Sequence, residues 1–170
     1  YAADTMIDIA NGAGSSMDMV EPAYTEFCTR EKNAGRAFSK TKWLLGMLGN
    51  MSAGHIASNA GIAGAQNSSN SACASSGQSV RNGYLSLKVG PNDGGDNIAF
   101  LGGSEYATGP ISTSLSFDNV TGRGGVLSRK KVLNAYGAER DGFIPGDAAS
   151  LIVMMRRSIA DKLQLEPLAE

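Results

Sequence analysis

The sequence predicts an α/β fold built around a buried sheet. Three observations carry that prediction. Short, nearly apolar runs occur at "TMIDIA", "NIAFL" and "SLIVMM"; helical patterns lie between them; and Gly, Pro and Asn cluster at the junctions. Strands covered on both faces read as continuous apolar runs, and their alternation with helices implies layers packed on a central sheet.

The elements follow in chain order. "TMIDIANGAG" is an apolar strand that enters a tight turn at Gly12 and Gly14. From Asp18 to Lys32, the residues Val20, Tyr24, Phe27 and Cys28 fall near one helical face, with Pro22 suited to the first turn. Cys28 on that face reads as a small core residue. From Lys42 to Asn59 the pattern is helical but rich in Gly, Ala and Ser, which lets another backbone come close. "GIAGAQ" is a turn, and residues 66 to 72 form a short, unusually polar strand. Over Ala74 to Val89, the spacing of Val80, Tyr84 and Leu87 predicts an amphipathic helix. "GPNDGGD" is a loop and "NIAFLGG" a buried strand. Residues 104 to 140 are irregular, with "TGRGG" a glycine loop. "GFIPGDAASLIVMM" is a turn followed by an apolar strand, and "SIADKLQLE" a short helix.

Composition narrows the function. The 170 residues suit one domain with a real core. Lys plus Arg (15) nearly balances Asp plus Glu (16), with no basic cluster, so nothing favours nucleic acid or an anionic membrane. No apolar run approaches bilayer-spanning length. Two cysteines make no disulfide framework and suit a reducing compartment such as cytoplasm, plastid stroma or mitochondrial matrix. The sequons at Asn50, Asn67 and Asn119 read as chance in the absence of a secretory signal pattern. For metals and cofactors there is no Walker loop, no CxxC pair, no complete dinucleotide fingerprint and no calcium-loop spacing, so none is expected.

The chemistry gathers at Cys73, between the polar strand and the helix after it. A cysteine at a helix N-terminus faces unpaired backbone N–H groups and the positive end of the helix dipole, which favour a thiolate. Ser71, Ala72, Ala74, Ser75 and Gly77 are small and leave room for a substrate. The same N–H groups suit an oxyanion. By pattern alone, an inert thiol in a Ser-rich segment remains the competing reading.

"NMSAGHIASNAGIAGAQNSSNSACASSGQSV" resembles the nucleophile region of β-ketoacyl-acyl-carrier-protein synthases, the condensing enzymes of fatty-acid and polyketide synthesis, and most of all their elongating type. Asn50, Met51, Ala53, Gly54, His55 and Ile56 match the family's Asn-Met-x-Ala-Gly-His-Ile helix. Ala72, Cys73 and Ser75 match its Ala-Cys-x-Ser turn. "IDIANGAGSS", "LGGSE" and "ERDGFIPGDAASLIVM" resemble further family segments in family order, so the likeness spans most of residues 5 to 155.

The resemblance implies a thiolase-like fold of αβαβα layers around a mixed five-stranded sheet, present here in part. Residues 1–170 would be a single partial ketosynthase domain, lacking the family's first strands and its histidine-bearing second half. Cys73 would accept an acyl chain as a thioester from an acyl carrier protein, then condense it with a decarboxylating malonyl group. Its own N–H would be one oxyanion donor. A homodimer is implied, with the strand before Cys73 near its twin. The sole histidine, His55, matches the structural helix motif rather than either catalytic histidine. "SRKKVLNAYGAERDGF" lacks the family's Pro-Phe-Asp, and Ala148 and Ser150 stand at family glycine positions. Two further readings therefore stay open: an inactive pseudo-ketosynthase serving a larger assembly, and a thiolase acting on coenzyme A thioesters.

Overall fold

The computed structural model describes residues 2–11, 48–109, 117, 126–130 and 134–169. The expected helix over Asp18 to Lys32, including Cys28, and the "TGRGG" loop lie outside the described residues. The contacts divide the chain into two units. Unit 1 comprises Tyr1–Asn11, Gly49–Ser104 and Ala149–Glu170; unit 2 comprises Gly12–Leu48 and Glu105–Ala148.

Among the described residues, four strands form one sheet. They are β1 (Thr5–Asn11), β2 (Gln66–Asn67), β3 (Ile98–Glu105) and β4 (Ala148–Met155), in the order β2-β1-β3-β4. Strand β1 pairs parallel with β2, through Ile7 and Gln66, and with β3, through Ile7 and Phe100. Strand β4 runs the other way beside β3: Ser150 lies against Gly102, and the Arg156 N–H donates to Asn97 O at 3.1 Å. The sheet is therefore mixed, in a thiolase-like α/β arrangement.

Side chains alternate across a strand, so β1 feeds two layers. Ile7 and Ile9 pack with Ala53, Ala57 and Ile62, which brings in α1 (Met51–Ala60). Met6 packs with Leu87, Ala99 and Leu101, which brings in α2 (Ser75–Val89). Both layers bury apolar surface, at about 25 cal/mol per Å² removed from water. Helix α1 ends at Gly61, whose φ of +68° is the left-handed conformation that glycine adopts without penalty; its N–H donates to Ala57 O.

Helix α2 buries Ser75, Ser79, Gly83 and Leu87, a stripe at four-residue spacing. The sequence pattern instead placed Val80, Tyr84 and Leu87 on one face, yet Tyr84 is 52% exposed. Small residues win this face because α2 lies very close to the sheet. A Cβ at Gly83 would come within 2.3 Å of Leu101 Cδ1. Along α2, Ser76 lies at Gly103, Ser79 at Gly102, Gly83 at Leu101, and Leu87 in the cluster with Ala99. The helix thus runs antiparallel to β3 and to β1, and its N-terminus sits at the C-terminal ends of both strands.

Two other expectations change. The strand foreseen over 66 to 72 contracts to Gln66–Asn67, because the next residues bond through side chains. Ser68 Oγ donates to Ile9 O at 2.9 Å, and the Ser69 N–H donates to the Asp8 side chain. The apolar β4 forms as a strand but is exposed, with Leu151, Ile152 and Val153 at 44%, 44% and 46%. It ends the strand order, so among the described residues only one of its edges is paired. A short helix, α3 (Arg157–Lys162), follows it and buries Ile159 and Ala160.

Unit 2 holds its described segments by local bonds. Val126, Ser128 and Phe143 exchange backbone hydrogen bonds, and Phe117 meets Phe143 edge-on at 5.0 Å. The Asp141 carboxylate accepts from Ser128 Oγ at 2.5 Å, and Asp147 accepts from Thr108 N–H at 2.9 Å and from its hydroxyl.

Candidate active site

Cys73 occupies the turn that leads into α2. The Ala74 N–H donates to Ser71 O at 3.1 Å, which closes a four-residue turn with Ala72 and Cys73 at its corners. Ala72 has φ +49°, a left-handed conformation that costs a non-glycine residue about 1–2 kcal/mol. A side-chain clamp holds this strain. The buried Ser75 hydroxyl donates to Ala72 O at 2.6 Å and accepts the Ser71 N–H at 2.7 Å. Ser75 is thus both the first residue of α2 and the brace of the turn.

The Cys73 thiol is free and exposed. It precedes Ala74, the N-cap of α2, whose first turn receives no side-chain cap. The N-terminus of α2 lies at the C-terminal ends of β1 and β3, and Cys73 stands two residues before its first residue, Ser75. Ser71, Ala72 and Ala74 are exposed, and a Cβ at Gly77 would meet nothing within 4 Å. The thiol therefore has open space on its approach side and a dipole end nearby. A nucleophile placed this way can attack a carbonyl whose developing oxyanion is received by backbone N–H groups.

His55 lies on α1 and is exposed. No hydrogen bond joins its side chain to Cys73 among the described residues. The structure thus puts Cys73 in the turn ahead of α2 and leaves His55 on the exposed side of α1.

Sequence reasoning missed Asp8. It sits in the middle of β1, fully buried, and its side chain points to the α2 face. Its carboxylate receives the Ser69 N–H at 3.0 Å, the Ser69 hydroxyl at 2.8 Å and the Asn82 amide at 2.9 Å. Its backbone oxygen receives the Ser79 hydroxyl at 2.5 Å. The available signal was a lone charge inside "TMIDIA", together with an unusually polar neighbouring strand. A buried carboxylate needs donors, and "NSSN" supplies them.

The family model described as "Beta-ketoacyl synthase, N-terminal domain" matches residues 4–160 of this chain. Among solved structures, a beta-ketoacyl synthase from Burkholderia phymatum STM815 is similar, with a TM-score of 0.62 and 18% sequence identity. The match covers 96% of this chain and 38% of that one. At this identity the likeness speaks for the fold. The chain thus spans well under half the length of that structure. No curated protein matches the sequence. No helix among the described residues is long and apolar enough to cross a membrane.

Proposed function

The chain belongs to the beta-ketoacyl synthase N-terminal-domain family, and on that premise we propose that Cys73 is the acyl-accepting nucleophile of a condensing enzyme. The observation that carries the reading is the exposed Cys73 thiol on a strained turn at the uncapped N-terminus of α2. In this reading the substrate is an acyl group on the phosphopantetheine of an acyl carrier protein. The Cys73 sulfur attacks the thioester carbonyl, and the Cys73 backbone N–H stabilises the oxyanion. The carrier thiol leaves, with a proton, as the enzyme thioester forms. A malonyl thioester then loses carbon dioxide, and its carbanion attacks the Cys73 acyl carbonyl, forming the new carbon–carbon bond as the Cys73 sulfur leaves as a thiolate. The histidines that assist decarboxylation come from outside these 170 residues, which form one partial ketosynthase domain. The products belong to fatty-acid or polyketide synthesis.

The test is acyl loading of the native polypeptide from an acyl-pantetheine thioester, read by peptide mass spectrometry. The expected result is a thioester on Cys73 that is absent from Cys73→Ala. Iodoacetamide labelling of Cys73 with no acyl loading would refute the reading.

Ala148 and Ser150, at positions where the family pattern has glycine, favour the second reading of an inactive structural homologue. That reading predicts the failed-loading outcome. A homodimer is part of the proposal. It is supported by β2, an exposed strand at the end of the strand order with no strand on its outer side among the described residues. Sedimentation at micromolar concentration is expected to give twice the chain mass; a monomer would contradict it.

A further inference from the structure

One carboxylate binds both flanks of the nucleophile turn. Asp8 accepts from Ser69, four residues before Cys73, through the backbone N–H and the hydroxyl. It also accepts from Asn82, nine residues after Cys73, on α2. The network closes on itself: Asn82 Nδ2 donates to Ser69 Oγ at 3.1 Å, and Gln78 Nε2 donates to Asn82 Oδ1 at 2.9 Å. Ser79 fixes the same strand residue through its main-chain oxygen and receives the Gly102 N–H at 3.2 Å. All the donors converge on acceptor-only oxygens, which suits a carboxylate at position 8. Among the described residues no cation pairs with it, and its oxygens are met by hydrogen bonds. Such a network is costly to assemble and rigid once complete. An apolar residue would pack β1 against α2 with less desolvation. What it would not do is hold Ser69 at a set distance from Asn82.

We propose that Asp8 is a positioning residue for Cys73, acting through Ser69 and Asn82 to hold the segment entering the turn in register with α2. This rests on the reading of Cys73 as an acyl acceptor. The thiol touches no part of the network. Its place relative to the α2 N–H groups depends on residues 69–75, whose incoming side is tied to Asp8 and whose outgoing side continues into the helix that Asp8 also holds. Reaction geometry is sensitive to sub-ångström displacement, so loosening one flank lowers acyl transfer more than simple thiol reactivity.

The hydrogen bonds suggest a variant pair. Asp8→Asn places an amide N–H₂ against the Asn82 N–H₂, a donor facing a donor, relieved only if the Asn82 and Gln78 amides both turn over. Asn82→Asp in the same chain reverses the polarity: the new amide at position 8 donates to the new carboxylate, and Ser69 and Gln78 keep partners. Acyl loading and amide hydrogen exchange are measured on the native polypeptide, its Asp8→Asn variant and the swapped double variant.

Asp8→Asn is expected to slow acyl loading by about tenfold. It should also raise exchange across residues 69–75 by about tenfold, the size of one lost charge-assisted hydrogen bond, with β3 amides unchanged. The swapped pair is expected to recover most of both. Unchanged exchange at 69–75 in folded Asp8→Asn overturns the proposal, as does a swapped pair no better than the single variant. If Asp8→Asn does not fold, Asn82→Ala, at a half-buried position, replaces it: a local rise at 69–75 supports the proposal and none overturns it. If the unaltered protein takes no acyl group, the ketosynthase reading fails while the exchange result still decides whether Asp8 holds the turn.

Discussion

The depth at which α2 lies on the sheet sets where Cys73 stands, and one residue pair tests it. A Cβ at Gly83 would sit 2.3 Å from Leu101 Cδ1 and 2.5 Å from Cδ2, and Leu101 is fully buried. Gly83→Ala gains about 1 kcal/mol of helix propensity but overpacks the core by about 1–3 kcal/mol. The clash wins, and the net effect is a loss of about 1 kcal/mol. Leu101→Ala alone loses about 2–5 kcal/mol, transfer and cavity together. In the double variant the clash is gone, the propensity gain remains, and the new methyl refills part of the cavity, worth about 0.8 kcal/mol. The double variant is therefore expected to be more stable than Leu101→Ala by nearly 2 kcal/mol, a coupling of about 2–3 kcal/mol. Urea unfolding followed by circular dichroism measures it, provided the slope with denaturant stays constant across the set. Additivity within about 0.5 kcal/mol would refute the close approach. So would a Gly83→Ala variant that is more stable by its full propensity gain.

The other predictions concern chemistry and pH. Cys73→Ala should abolish acyl loading and leave the thermal midpoint close to the parent value, since an exposed thiol holds little of the core. Asp141 and Asp147 have carboxyls held below the ordinary 3.8, first by the side-chain hydrogen bonds from Ser128 and Thr108 respectively. A carboxyl lowered by folding adds stability above its unfolded value and loses it as pH falls through the folded one. Both contacts should therefore persist at neutral pH and break only below about pH 3.8. Carboxyl carbon NMR titration should place both midpoints below 3.8, and a midpoint at or above it would contradict the geometry.

Much of unit 1 was legible in the residues. "TMIDIA" and "NIAFL" are short, nearly apolar runs that read as buried strands, and they pair parallel at the centre. The α2 helix and the turn before it were marked by a helical run beginning just after Cys73. The face that α2 buries was misread because periodicity weighs apolar residues. Close packing against the sheet instead selects the smallest ones, Ser79 and Gly83. The exposure of β4 was equally hidden, since an apolar run does not say whether its strand ends the sheet order.

The sequence by itself determined the alternation of strands and helices, the position of Cys73 ahead of a helix, and the family resemblance that makes the thiol a candidate nucleophile. These rest on local pattern, which neighbouring residues carry. Only the tertiary structure decided that Asp8 joins Ser69 to Asn82. They lie 61 and 74 residues away along the chain, and no local pattern specifies which distant donors will meet a buried carboxylate. That choice is made when β1 is covered by α2, and the cost of leaving a buried polar group unpaired then enforces it.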